Sequence, residues 1–136
     1  MIPFQWDVLN DRGNIVIESE REDATIPTEK SHVIENFRIA AGQKEGHHYG
    51  WLFQDSDLYK WIEAAANTIA LEKDEALVAQ VEETIELLEA AQDDDGYLST
   101  YYQIDAPHLK FRRLFESHEL YCIGHLIEAA IAYKEA

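Results

Sequence analysis

Residues 58–70 read Leu58-Tyr59-Lys60-Trp61-Ile62-Glu63-Ala64-Ala65-Ala66-Asn67-Thr68-Ile69-Ala70, with no glycine or proline. Leu58, Trp61, Ile62, Ala65 and Ile69 fall on one helical face. Lys60, Glu63 and Asn67 make a narrow polar strip, and Ala64, Ala66 and Ala70 widen the apolar surface, so this helix is expected to be buried on most sides. Asp55 or Ser56 is its expected N-cap. Ile62-Glu63-Ala64-Ala65 returns 65 residues later as Ile127-Glu128-Ala129-Ala130, in a second apolar helix with Ser117 as its expected cap. There Leu120, Ile123, Leu126, Ile127, Ala130 and Ile131 leave little polar surface and predict equal burial. Between the two, Asp74 caps an amphipathic helix with Leu77, Val78, Val81, Ile85 and Leu88 inward and Glu82, Glu83, Glu86 and Glu89 in solvent. Apolar helices alternating with amphipathic acidic ones are the pattern of stacked helical hairpins, as in solenoids and toroidal (α/α) barrels.

Working outward, Ser31 is the expected N-cap of a helix over about 32–41. Val33, Ile34, Phe37, Ala40 and Ala41 form its inner face and Gly42 its C′ residue. Residues 2–10 suit a short helix, and residues 11–30 a long loop in which Ile15-Val16-Ile17 is too short for a sheet. Two of the three prolines and five of the six glycines fall between helical segments, so the chain reads as one all-α domain over 1–136. Antiparallel alternation puts the long loops 42–54 and 93–116 at one end and the tight turn near Glu72-Lys73 at the other. Long loops on a helical scaffold are where function concentrates.

Composition narrows the function. At 136 residues with 46% hydrophobic and 28% charged content, the chain is a folded domain's size, able to bury roughly 68–70% of its unfolded surface. Eleven Lys and Arg against 27 Asp and Glu give −16, which argues against nucleic acid and anionic membranes as partners. A single cysteine, Cys122, makes no internal disulfide and no multi-thiolate metal site of its own. The first residues lack a signal-peptide pattern and no window approaches 18 apolar residues, so a soluble, cytoplasmic protein is expected.

The long loops and the helix starts they feed hold His47, His48, Tyr49, Trp51, Tyr97, Tyr101, Tyr102, His108 and His118. Flat rings and neutral hydrogen-bonding groups suit carbohydrate, although the same residues also plug hairpin ends. Asp55, Asp57, Asp93, Asp94, Asp95, Glu116 and Glu119 are candidates for the paired carboxylates of glycoside hydrolysis. In a chain with 27 acids such coincidences are common, and capping and turn roles explain Asp55 and 93–95 equally well. The tract before Gly96 reads as a turn, since a calcium loop needs a longer alternating pattern. His118, Cys122 and His125 share one helix face at i, i+4 and i+7, a spacing compatible with a metal or with a packed thiol between hydrogen-bonded histidines.

Taken in order, several motifs resemble the N-terminal part of glycoside hydrolase family 127, the β-L-arabinofuranosidases. They are Ile2-Pro3-Phe4-Gln5-Trp6, Phe53-Gln54-Asp55-Ser56-Asp57-Leu58-Tyr59-Lys60-Trp61, Ala91-Gln92 leading to Asp95-Gly96-Tyr97-Leu98, Tyr102-Gln103-Ile104, Ser117-His118-Glu119-Leu120-Tyr121, and Gly124-His125 with Ile127-Glu128-Ala129-Ala130. The resemblance implies an (α/α)6 barrel and retaining release of terminal β-L-arabinofuranosyl groups from arabinose-containing glycans. It also implies a cysteine nucleophile on a zinc ion held by cysteines and a glutamate in later segments. No residue here matches that nucleophile or those ligands, so the chain is expected to hold no metal of that site and to be inactive alone. By the same resemblance His118 contacts sugar hydroxyls, and Asp55, Tyr97, Tyr102 and Gln103 belong to the same end of the pocket.

A closed barrel needs twelve helices, and this sequence offers four or five. The expectation is a truncated or split family member whose open faces are covered by self-association or by a complementary C-terminal chain. The alternative is a non-catalytic helical sugar-binding or protein-interaction module.

Overall fold

The computed structural model describes residues 1–12 and 30–136. The described residues are helical, with no strand among them. Helix α1 spans Ile2–Leu9, α2 Val33–Ala40, α3 Asp55–Leu71, α4 Glu75–Ala91, α5 Thr100–Ile104 and α6 Glu119–Glu135. The loop expected over 11–30 lies largely outside the described residues. No helix among them is long and apolar enough to cross a membrane.

The main core joins α1 to α4 and α6. Val33, Ile34 and Phe37 of α2, Leu58, Trp61, Ile62 and Ala65 of α3, Leu77, Val81 and Leu88 of α4 and Cys122 and Ala129 of α6 are all buried in it. Trp6 of α1 lies against Trp61, ring centres 4.4 Å apart. The most extensive helix contact joins α3 to α6. These two run side by side in the same direction, so Lys60 Nζ donates to Tyr121 Oη at 2.9 Å and the two Ile-Glu-Ala-Ala segments become neighbours. A second, smaller cluster of Tyr97, Tyr102 and Ala106, flanked by Tyr101 and Leu109, packs under the 93–116 segment.

Two helix ends follow the expected chemistry. Asp74 accepts from the Ala76 and Leu77 amides at 3.0 and 3.1 Å. Gly42 (φ +70°) closes α2, with Gly42 N–H on Ile39 O and Gln43 N–H on Arg38 O.

The other caps differ. The N-cap of α2 is His32, not Ser31, and that of α6 is His118, one residue past Ser117; both histidines adopt the left-handed conformation (φ 52° and 57°). Buried Ser31 instead receives Gln54 Nε2, and Ser117 Oγ accepts weakly from Glu119 N at 3.4 Å. Neither Asp55 nor Ser56 caps α3; Gln54 occupies that position, because the Asp55 carboxyl is taken by Thr100. The 93–116 segment is not a plain loop, since it holds α5 and a 3₁₀ turn at Pro107–Leu109. Helix α6 is not buried like α3: Leu120, Ile127 and Ile131 are more than half exposed. Its one inward side faces α3, and the opposite side has no neighbour among the described helices. The last turn of α3 is likewise open, with Leu71 exposed.

Gly50 is required by its surroundings. It sits at φ +103°, and a Cβ there would fall 1.6 Å from Gln54 Oε1. That oxygen accepts the Trp51 amide at 2.9 Å, and the same side chain holds Ser31. Gly50→Ala is therefore expected to cost about 2 kcal/mol or more through strain and loss of the Gln54 bonds. Denaturant unfolding of the variant would check this, and an unchanged midpoint would contradict it.

Candidate functional site

The two long segments meet at one end of the helices, as the alternation requires. Asn36 of α2 holds the 42–54 loop by a reciprocal pair, Nδ2 donating to Tyr49 O at 2.8 Å and Oδ1 accepting from Tyr49 N at 3.0 Å. Asp105 joins that loop to α5, lying 2.7 Å from His47 Nδ1 and accepting from His48 N at 2.9 Å. The His48 ring meets Tyr101 edge-on at 5.4 Å. Burial pushes its imidazole down to about 4, with the Asp105 charge pulling the other way.

A continuous row of rings crosses this end. Trp51 stacks on Phe53 (5.5 Å), Phe53 lies 5.2 Å from His118, His118 6.0 Å from Tyr121, and Tyr121 4.7 Å from His125. Trp51 and Tyr121 are about 40% exposed, and His118 is exposed. His118 Nδ1 is 2.9 Å from Glu116 O. A carbonyl only accepts, so Nδ1 carries a proton, and in the neutral tautomer of that form Nε2 is the acceptor.

Behind the row lies a layer of polar clasps. Asp55 is buried, its Oδ2 accepting from Thr100 N at 2.7 Å and Oδ1 from Thr100 Oγ1 at 2.6 Å. Burial raises its carboxyl to about 6 against the lowering effect of those two donors. Gln103 accepts from Ser99 N at 2.9 Å and donates to Ala91 O at 2.7 Å and Asp93 Oδ1 at 2.9 Å. Asp95 accepts from Tyr97 N in the turn closed by Gly96 (φ +87°). Lys110 pairs with Asp93 and lies over the Tyr97 ring at 4.5 Å. Tyr97 donates to buried Glu119, whose Oε1 also accepts from Phe111 N at 3.0 Å. Burial and then this bond raise the Tyr97 phenol well above its usual range. Burial likewise raises Tyr102.

The structure thus brings His118, Trp51 and Tyr121 to the surface together, joined by half-buried Phe53. Asp55, Tyr97, Tyr102 and Gln103 stand in the layer beneath, their polar groups engaged with the protein where bonds are seen. His108 is exposed and joins neither group. Lys60 and Tyr121 were not foreseen as neighbours; the repeated Ile-Glu-Ala-Ala was the signal that could have paired their helices.

His118, Cys122 and His125 do not form a ligand set. Cys122 Sγ is buried and donates to Phe53 O at 3.6 Å, and burial pushes its thiol up to about 12. His125 stands with Glu63 and Glu128 instead.

Comparison with known proteins agrees with this architecture. The model of the β-L-arabinofuranosidase, GH127 catalytic domain matches residues 2–136. A non-reducing end β-L-arabinofuranosidase of Bifidobacterium longum subsp. longum is 40% identical over 139 residues, covering 99% of this chain and 21% of that protein. The structure of a GH127 β-L-arabinofuranosidase from Geobacillus stearothermophilus T6 aligns with a TM-score of 0.86 at 50% identity, over 99% of this chain and 19% of that one. A second GH127 β-arabinofuranosidase aligns at 0.77 and 26% identity, over 99% and 20%. The chain spans about a fifth of the length of these relatives and matches their N-terminal part. Their fold is an (α/α)6 barrel, and the hairpins described above are part of one.

Proposed function

The chain belongs to glycoside hydrolase family 127, and on that premise we propose that residues 1–136 supply one wall of a pocket for a terminal β-L-arabinofuranosyl group. The observation that carries this reading is the row of exposed Trp51, His118 and Tyr121 with half-buried Phe53 between them. Its rings offer faces to the C–H side of a sugar, and His118 Nε2 offers an acceptor to a hydroxyl. Tyr97, Tyr102, Asp55 and Gln103 act through the segment they hold in place. Hydrolysis needs groups beyond these residues. The zinc-bound cysteine that the family resemblance implies does not fit Cys122, which is a buried thiol with no second cysteine beside it. No step through zinc is therefore assigned to this chain. The exposed side of α6 is where the following hairpins of the barrel pack, which completes both the ring and the pocket.

The test is NMR titration with methyl β-L-arabinofuranoside. Binding is expected to be weak, about millimolar or worse, with shifts centred on Trp51, Phe53, His118 and Tyr121. His118→Asn retains the left-handed turn and is expected to weaken binding about tenfold. An aryl β-L-arabinofuranoside is expected to stay uncleaved. Shifts absent from this row at about 0.1 M sugar, or turnover by the chain alone, would overturn the reading.

A further inference from the structure

Glu63 of α3 and His125 and Glu128 of α6 each bring one ligand atom into a group whose atoms all lie within 4.8 Å of one another. Glu63 and Glu128 hold the same place in the repeated Ile-Glu-Ala-Ala, so packing α3 beside α6 brings the two copies of one carboxylate to a single imidazole. His125 Nδ1 lies 3.1 Å from Glu128 Oε2. That nitrogen is closed off from solvent, yet the contact lacks the alignment of a hydrogen bond and no other partner is found among the described residues. Two ligands each about 2.1 Å from one ion stand roughly 3.0–3.4 Å apart, with lone pairs aimed at the ion rather than at each other. The geometry points to a binding site for a divalent first-row transition ion, held by His125 Nδ1 and the carboxylates of Glu63 and Glu128, which would staple α3 to α6. One nitrogen and two carboxylate oxygens form a set such ions accept, and the two carboxylates supply the charge that a dication balances. The other His-carboxylate group, Asp11, His32 and Glu35, is already closed. Lys44 lies 2.9 Å from Glu35 Oε1, and Asp11 Oδ1 accepts from His32 N at 2.8 Å.

The test uses the chain stripped by chelator and titrated with Co²⁺ alone, read by visible absorption and by melting. The expected result is one ion per chain with a ligand-field band, and a rise in Tm of about 4 °C or more at saturation. Glu128 is 61% exposed, so Glu128→Gln should fold normally and weaken Co²⁺ by about tenfold or more. His125→Gln should do the same, and Asp11→Asn should bind as the parent does. No band and no shift at about 1 mM Co²⁺ overturns the site. So does binding that survives both Glu128→Gln and His125→Gln, since the ion then lies elsewhere.

Discussion

Asp55→Ala, measured at pH 5, is expected to lower stability by about 3–5 kcal/mol, roughly 10–20 °C in Tm for a domain of this size. The substitution strands the Thr100 amide and hydroxyl, both buried and both bonded to Asp55 at 2.6–2.7 Å. It also unties the start of α3 from α5. The pH dependence separates this from simple loss of a side chain. Burial raises the Asp55 carboxyl to about 6, so the folded chain holds this proton more tightly than the unfolded one. The stability that comes with the proton is fully present below the ordinary carboxylate value near 4 and is lost as pH rises through 6, about 3 kcal/mol in all.

Asp93 and Asp105 act in the opposite direction. Burial would raise both carboxyls, but Lys110 and Gln103 outweigh it at Asp93, and His47 and the His48 amide outweigh it at Asp105, holding both low. Their stabilising effect is lost as pH falls below the usual carboxylate range. The Asp55 loss therefore falls between about pH 4 and 6 and is complete above it, while the buried His48 imidazole gains stability over nearly the same range as pH rises. The Asp55 contribution is accordingly read as the difference between the parent and a variant that cannot ionise. Asp55→Asn, which imitates the protonated acid, should match the parent at pH 4 within about 1 kcal/mol and exceed it by about 3 kcal/mol at pH 7. Melting curves across this range decide the matter: a difference between the parent and Asp55→Asn that stays constant from pH 4 to 7 would show that Asp55 does not titrate there.

Glu119→Ala is expected to cost about 3 kcal/mol. Its carboxylate, buried in the first turn of α6, receives the Tyr97 hydroxyl and the Phe111 amide at once. One side chain thus fastens two points of the 93–116 segment to the helix that carries His118. Losing it should release the exposed stretch around Arg112 and Arg113, raising the rate of tryptic cleavage there about tenfold or more. Glu119→Gln keeps an acceptor for Tyr97 and should restore most of the protection. Cleavage unchanged in Glu119→Ala would mean that the Lys110 contacts with Asp93 and Tyr97 hold the segment instead.

The helices were legible because their periodicity is strong, and α4 was legible even to its cap, since Asp74 serves only that local role. Two of the three misread caps share one cause. Ser31, Asp55 and Ser117 all look like local N-caps, but Ser31 and Asp55 are committed to Gln54 and Thr100, partners 23 and 45 residues away. Local pattern carries no information about such distant demands. The exposure of Leu120, Ile127 and Ile131 was equally hidden, because an apolar stripe says that a face is to be covered and not by what. At the site, the ring-bearing loops and their shared end could be inferred from alternation. The row through Phe53, His118 and Tyr121 could not, because alternation fixes the direction of α3 and α6 and not that the two pack side by side.

The two cores also differ in their chromophores. Trp6 and Trp61 report from the main helical core, whereas Tyr97, Tyr101 and Tyr102 and no tryptophan make up the aromatic content of the smaller one. Indole emission from Trp6 and Trp61 would follow collapse of the helical frame, with Trp51→Phe on the 42–54 loop so that the signal comes from the core alone. The near-ultraviolet tyrosine band would register loosening of the 93–116 segment first. A melt followed in both signals would resolve the chain into a scaffold and a separately yielding cap, where a single fluorescence trace would record one transition.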